Sequence, residues 1–352
     1  MPPDFSEVAR LLDDASGARA FPAATVEVGR RSRVIWQHAT GRLTYDDDAP
    51  ATDLDTMFDL ASLTKVVATA PLLMQLVATR RVLLSTPVGK LVPAWLGHER
   101  SDVTLVDLLE HSGGLTAWWD LYKRNHSAPE FAHEIGELPL EYRPRTRSIY
   151  SDLGFLLLGF IVADRAGRAL DSQFDSLLGD TGLVFRPPAD LRKNIAPTEH
   201  DTTWRGRLLV GEVHDENAAE LGGVAGHAGL FGSAPAVGTY ARLVLETLRG
   251  PTRLGPPWLQ ERFLRRSTVP RSSRALAWDT MLPTSSCGTR LSRGAFGHTG
   301  FTGTSLWIDP LRDLYVVLLT NRVHPVRPAD RDDALRRLRP QVHDAVVAAL
   351  ES

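Results

Sequence analysis

"DLASLTK", residues 59–65, decides how this chain is read. Downstream of it, Leu63, Val66, Val67, Ala70, Leu73, Met74 and Val77 recur at the helical period and mark one buried face. Asp59 or Ser62 is placed to cap that helix. Pro71, inside the run, should kink it by removing a backbone hydrogen bond. Positions i and i+3 share one side of a helix, so Ser62 and Lys65 should stand together near its N-terminus. There the helix dipole favours a developing alkoxide. A neutral Lys65 amine would take the serine proton, and a charged one would stabilise the alkoxide. The S-x-x-K spacing alone is met equally well by a serine that merely opens a helix.

The flanks bear on fold class. Residues 4–14 carry Phe5, Val8, Leu11 and Leu12 at helical spacing. "ATVEVGR" (24–30) and "RVIWQHATG" (33–41) alternate apolar and polar residues, as two antiparallel strands joined by a tight turn do. Strand patterns return in "RALAWDTM" (274–281), "TSLWIDP" (304–310) and "LYVVLLTN" (314–321), and an amphipathic helix covers roughly 331–350. Between them lie short helical patterns broken by Gly and Pro, with loop-like stretches at 186–217 and 221–234. The expected class is α/β (α+β). Residues 1–84 and 271–352 would form a lobe with a central antiparallel sheet flanked by helices. Residues 85–270 would form a mainly helical lobe, the two making one catalytic domain with the site in the cleft between them.

Composition narrows the function classes. The 352 residues carry a formal net charge of −2, which gives no electrostatic footprint for nucleic acid or an anionic membrane. No apolar run reaches the ~18 residues of a membrane span. The N-terminus lacks the basic and apolar regions of a signal peptide. The chain as given therefore reads as cytoplasmic, and as periplasmic or secreted if an export signal has been removed. Cys287 is the one cysteine, so no intrachain disulfide or cysteine metal cluster forms, and "TSSCGTR" looks like a loop. No phosphate-cradling glycine motif is present, and no cofactor is expected. Only four of the 40 basic residues are lysines, which makes the placement of Lys65 more informative.

Two further segments raise the S-x-x-K above coincidence. "IYSDLGFLLLG" (149–159) brings Tyr150, whose phenol, held near a lysine ammonium, should ionise more easily and serve as a base. "GHTGFTGTSLWIDP" (297–310) brings His298 as a donor, Thr299 as a hydroxyl, and Gly300, which would let substrate approach the backbone. A peptide N–H just after Gly300 could join that of Ser62 as an oxyanion hole. The order S-x-x-K, Y-[SA]-[ND], [KH]-T-G resembles the serine β-lactamase and penicillin-binding-protein superfamily, here as Ser62-Leu63-Thr64-Lys65, Tyr150-Ser151-Asp152 and His298-Thr299-Gly300. The tyrosine form resembles the class C β-lactamase branch, as do "TLVDLLEHSGGL" (104–115) and "GHAGLFGSAPAVGTYARL" (226–243).

The resemblance implies a β-lactamase/transpeptidase-like fold and an acyl-enzyme on Ser62. Lys65 and Tyr150 would move the proton, the Ser62 and Phe301 N–H groups would form the oxyanion hole, and His298 and Thr299 would bind substrate from a strand edge. "GEVHDENAAELGGVAGHAGLFG" (211–232), with the other segments, is similar to a subgroup acting on cell-wall peptides, namely D-alanyl-D-alanine carboxypeptidases and N-acetylmuramoyl-L-alanine amidases. By that likeness His227 should lie on the cleft wall. His214, Asp215, Glu216 and His227 are metal-capable types, but their spacing fits no zinc motif, so no metal is expected. His111 should support the fold, and His324 should lie on the surface. The expected partner is a small peptide, muropeptide or ester. A carboxylesterase of the same fold is the alternative, and a β-lactamase or a non-catalytic penicillin-binding sensor ranks below it.

The sequence departs from many relatives at Asp152, where an asparagine would donate to a substrate carbonyl. An ionised carboxylate only accepts, so Asp152 should meet a donor: a substrate N–H, or Lys65. Asp152→Asn should therefore raise the rate of acylation by penicillin. Rapid-mixing kinetics with a chromogenic penicillin would measure it, and an unchanged or lower rate would sink the argument.

Overall fold

The computed structural model describes residues 2–97, 100–327 and 332–352. Its main sheet draws on both chain ends. Strands β1 (Ala23–Arg30), β2 (Arg33–Gly41), β3 (Asp279–Thr280), β4 (Phe296–Thr299), β5 (Ser305–Asp309) and β6 (Leu314–Thr320) lie in the order β2-β1-β6-β5-β4-β3. Every pairing is antiparallel. The register sets Val26 opposite Leu318 and Val28 opposite Val316, which puts their side chains on one face. That face packs against helix α1 (Ser6–Gly17) and the C-terminal helix Asp332–Glu351 through Val8, Leu12, Val342 and Val346. The opposite face, with Tyr315, Val317 and Leu319, belongs to the larger core. Both faces are covered, which is why β6 reads as an almost unbroken apolar run.

The expected strand at 274–281 shrinks to Asp279–Thr280. Ala277 takes a positive φ of 73°, and the Ala275 N–H bonds the Trp278 carbonyl at 2.8 Å, so the segment turns instead of extending. Edge strand β3 then covers β4 only at Phe296 and Gly297. The β4 edge beyond them, His298 and Thr299, is left open toward the cleft.

The helix after "DLASLTK" starts as a wide π-turn, Lys65–Thr69, and continues as α2 (Ala70–Ala78). Helical backbone runs without a break through Pro71, and the irregularity lies in the π-turn that directly precedes the proline. Neither Asp59 nor Ser62 caps it. Asp59 is buried, and its carboxylate accepts from the N–H groups of Ala61 (2.8 Å) and His214 (2.6 Å).

Helix α3 (Asp152–Ala166) is apolar on nearly all sides and runs through the core, with Ser151 as its N-cap and Gly167, in the left-handed region, ending it. Gly159, within α3, meets Gly226 backbone to backbone. A Cβ on Gly159 would lie 2.8 Å from the Gly226 Cα. This close approach brings the 226–230 segment down to the lysine. Helix α4 (Ala234–Thr247) then packs on the sheet, with Gly238 against the buried Glu27. No helix among the described residues is long and apolar enough to cross a membrane.

Gly159→Ala must push the helix from the 226–230 segment. It should cost about 1–3 kcal/mol of unfolding free energy, read as a lower urea midpoint. An unchanged midpoint would contradict this contact.

Candidate active site

The nucleophile turn is held from two sides. Ala61, just before Ser62, sits at a positive φ of 47°, a conformation rare for a residue with a side chain. On one side, the loop after β4 is stitched to the turn: Thr302 Oγ1 donates to the Asp59 carbonyl (2.7 Å) and Thr304 Oγ1 to the Leu60 carbonyl (3.0 Å). Gly300 fits only without a side chain, since a Cβ would lie 2.6 Å from the Leu60 carbonyl oxygen and 2.1 Å from Thr304 Oγ1. Its glycine thus serves the seating of the nucleophile turn on the strand. On the other side, the Leu60 N–H donates to the Leu230 carbonyl (2.9 Å), and the Leu230 N–H to Thr64 Oγ1 (3.2 Å).

Ser62 Oγ lies 2.8 Å from Lys65 Nζ and 2.7 Å from Tyr150 Oη, each within donating distance. The i,i+3 spacing does bring serine and lysine together, although through a turn and a π-helix rather than an ideal α-helix. Lys65 has no exposed side-chain area. Its ammonium also donates to the His227 carbonyl (3.1 Å) and pairs with Asp152 Oδ1 at 2.6 Å. Of the donors Asp152 was expected to meet, the structure supplies Lys65.

The electrostatics follow from that pair. Burial disfavours the Lys65 charge, but Asp152 and Tyr150 outweigh it and hold its pKa above the ordinary lysine value. Burial, with Asp152 adding to it, outweighs Lys65 at Tyr150 and raises the phenol's pKa above the ordinary tyrosine value. Lys65 does pull Tyr150 toward ionisation as expected, but burial first, and Asp152 after it, outweigh that pull, so the phenol does not ionise more easily on balance. The resting site is an ammonium, a carboxylate and a neutral phenol around a serine hydroxyl.

His298 is buried and kept neutral, its pKa held well below the usual histidine range by desolvation and then by Arg274 and Lys65. Its Nδ1 lies 2.8 Å from the Thr299 carbonyl, so Nδ1 carries the proton and Nε2 is left an acceptor. The expected donor role therefore does not hold for the ring in this geometry. His111 is also buried and neutral. Its Nδ1 accepts from the Ser151 N–H (3.1 Å), and its ring packs 4.7 Å from Tyr150 and 5.2 Å from Phe155. It packs against the tyrosine and holds the segment that carries it. Among the described residues, the N–H groups of Ser62 and Phe301 have no protein acceptor.

A cleft of about 660 Å³ opens over Ser62 and takes in Tyr150, Asp152, His227, His298, Thr299, Gly300 and Phe301. His227 does lie on its wall, almost fully buried, with Nε2 2.7 Å from Asp215 Oδ1. His214, paired with Glu199 at 2.7 Å, stacks on Phe301 at 5.6 Å. Among the described residues no three His, Cys, Asp or Glu side chains are grouped to hold a metal ion. Cys287 is buried and its thiol is pushed up to about 12 by desolvation, which makes it inert. His324 is buried, not on the surface, with Nδ1 3.1 Å from the Thr198 carbonyl.

Several cleft residues escaped the sequence, Arg274 and Trp118 among them. The Arg274 guanidinium lies 5.2 Å over the Tyr150 ring, and Trp118 stands at the wall, 40% exposed. Neither sits in a motif, and each reaches the site only through chain contacts far apart in sequence.

A buried lysine and a tyrosine converging on one serine define a serine hydrolase of the acyl-enzyme type. The sequence model of the Beta-lactamase family matches residues 8–341, and the chain belongs to that family. A protein of Escherichia coli K12, provisionally named a D-alanyl-D-alanine carboxypeptidase, is 30% identical over 348 residues, covering 86% of this chain and 79% of the relative. The N-acetylmuramyl-L-alanine amidase of Bacillus subtilis 168 is 28% identical over 356 residues, covering 87% and 78%. Among solved structures, a class C β-lactamase from Rhodobacter sphaeroides superposes with a TM-score of 0.75 at 19% identity, over 97% of this chain and 99% of that one. The hydrolase EstCE1, described as having promiscuous acyltransferase activity, gives 0.75 at 18%, over 97% and 98%. These two likenesses establish the β-lactamase/transpeptidase fold.

Asp152 raises the pKa of both Lys65 and Tyr150, so removing its charge must lower both. Asp152→Asn should move Tyr150 ionisation to lower pH. Tyrosine-selective NMR titration would read it, with Tyr150→Phe to assign the signal. An unmoved or upward-shifted titration would contradict the assigned electrostatics.

Proposed function

We propose that this protein hydrolyses amide bonds of peptidoglycan-derived peptides through an acyl-enzyme on Ser62, as a D-Ala-D-Ala carboxypeptidase or an N-acetylmuramoyl-L-alanine amidase. The observation that carries it is the pair of contacts on Ser62 Oγ, from Lys65 at 2.8 Å and Tyr150 at 2.7 Å. The names of the relatives from E. coli and B. subtilis support the substrate class. The segments 1–84, 85–270 and 271–352 act as one catalytic domain.

Ser62 Oγ attacks the amide carbonyl carbon. Its proton passes to Tyr150 Oη as Tyr150 gives its own proton to the leaving nitrogen, so the phenol ends neutral. The Lys65 ammonium stabilises the negative charge that builds on Ser62 Oγ in the transition state. The Ser62 and Phe301 N–H groups receive the carbonyl oxygen as it becomes an oxyanion. Water then attacks the ester, handing a proton to Tyr150, which returns one to Ser62 Oγ. Asp152 holds Lys65 in its charged form. Thr299 and the open edge of β4, with His298 Nε2 as an acceptor, take the extended backbone of the substrate. His227 shapes the wall and positions Lys65 through its carbonyl.

Mass spectrometry after incubation with a defined N-acetylmuramoyl pentapeptide should show release of terminal D-Ala, or separation of the lactyl group from L-Ala. Both products should vanish in Ser62→Ala. Turnover of a p-nitrophenyl ester with the muropeptide left intact would instead establish a carboxylesterase.

A further inference from the structure

The cleft contains an apolar surface that the chemistry above does not use. Trp118 is 40% exposed on its wall, and among the described residues its ring stacks on no other aromatic ring. Its neighbour Trp119 has a structural partner, since its indole N–H donates to Glu134 (3.0 Å). The backbone around Trp118 is fixed to the catalytic frame. Ser151 Oγ donates to the Thr116 carbonyl (2.6 Å) and the Asp152 N–H to the Ala117 carbonyl (2.8 Å). Asn217 Nδ2 donates to the Trp119 carbonyl (2.8 Å). Three carbonyls in four residues are thus tied down, two of them by residues adjoining the catalytic tyrosine. A large apolar ring is presented to water on a segment that cannot readily fold it away.

What the ring accepts follows from its surroundings. Apart from Ala61, Ala228, Gly300 and Phe301, every residue sharing the cleft with Trp118 carries a polar or charged side chain. An acyl chain or a phenyl group could use the aromatic face but would leave the polar and charged groups that share the cleft without partners. A pyranose matches both features. Its axial C–H groups, slightly positive, meet the negative face of the indole, while hydroxyl and amide groups on its rim meet polar partners.

We propose that Trp118 is the platform of a sugar subsite, which stacks the pyranose of a muramyl peptide. This rests on the peptidoglycan-peptide function above and deepens it: it assigns the substrate as a sugar-bearing muropeptide, and not a free stem peptide.

The test compares Trp118→Ala with the unaltered protein on a muramyl peptide and on the same peptide N-capped with a lactyl group and no sugar. A loss of at least tenfold in kcat/KM on the sugar-bearing substrate alone supports the subsite, with Trp118→Phe recovering part of it. Equal loss on both substrates, or loss on neither, overturns it. The rate of Ser62 labelling by a fluorophosphonate, expected within twofold of the unaltered protein, controls for folding. If neither substrate is turned over, the peptidoglycan function fails, and free N-acetylmuramic acid still decides the subsite. Saturation-transfer NMR should detect the sugar on the unaltered protein and not on Trp118→Ala; no signal, or an equal signal, overturns the proposal.

Discussion

A lysine ammonium with no access to water needs a counter-charge, and that requirement governs this site. Asp152 meets it at 2.6 Å, and the His227 carbonyl takes a further N–H. The fold is arranged to supply these partners. Asp152 is the first residue of α3, so the start of that helix sets the carboxylate. His227 follows Gly226, whose backbone touches α3 at Gly159. The same helix thus fixes both partners of the lysine. Tyr150, two residues ahead of Asp152, is carried to Ser62 on the same segment.

The counter-charge also changes the chemistry. Had Lys65 stood alone beside Tyr150, its charge would have eased ionisation of the phenol. Burial comes first in holding the phenol neutral, and Asp152 adds to it against the lysine charge, which suits the proposed relay through Tyr150 without a free phenolate. Burial keeps His111 and His298 neutral, and Arg274, over the Tyr150 ring, and Lys65 add to it. The histidine that heads the third motif is therefore no substitute for a lysine there, because it carries no charge and its one N–H is spent on Thr299.

Much of this was legible in the sequence, and what was not has a physical cause. Strand alternation and motif order gave the sheet's strands and the triplets because each is a local pattern. Ser62, Lys65 and Tyr150 do converge, which the motif order implied but the i,i+3 spacing alone did not. The 274–281 segment misled because its apolar residues suit a buried turn as well as a strand, and Ala277 takes a conformation that composition does not disclose. The seating of Gly300 against Leu60 could not be read because that carbonyl, 240 residues earlier, is invisible locally. Trp118 and Arg274 were missed for the same reason: a side chain's place on a cleft wall is decided by tertiary contacts.

The protonation state of Lys65 tests the account most directly. The chain has only four lysines, so selective isotope labelling of lysine side chains gives few NMR signals, and a Lys65→Arg variant assigns the one of interest. If Asp152 governs the site, the Lys65 signal in the resting protein should remain that of an ammonium beyond the ordinary lysine pKa, and its titration should move down in Asp152→Asn. A Lys65 that loses its proton below the ordinary lysine value, with Asp152 in place, would contradict it.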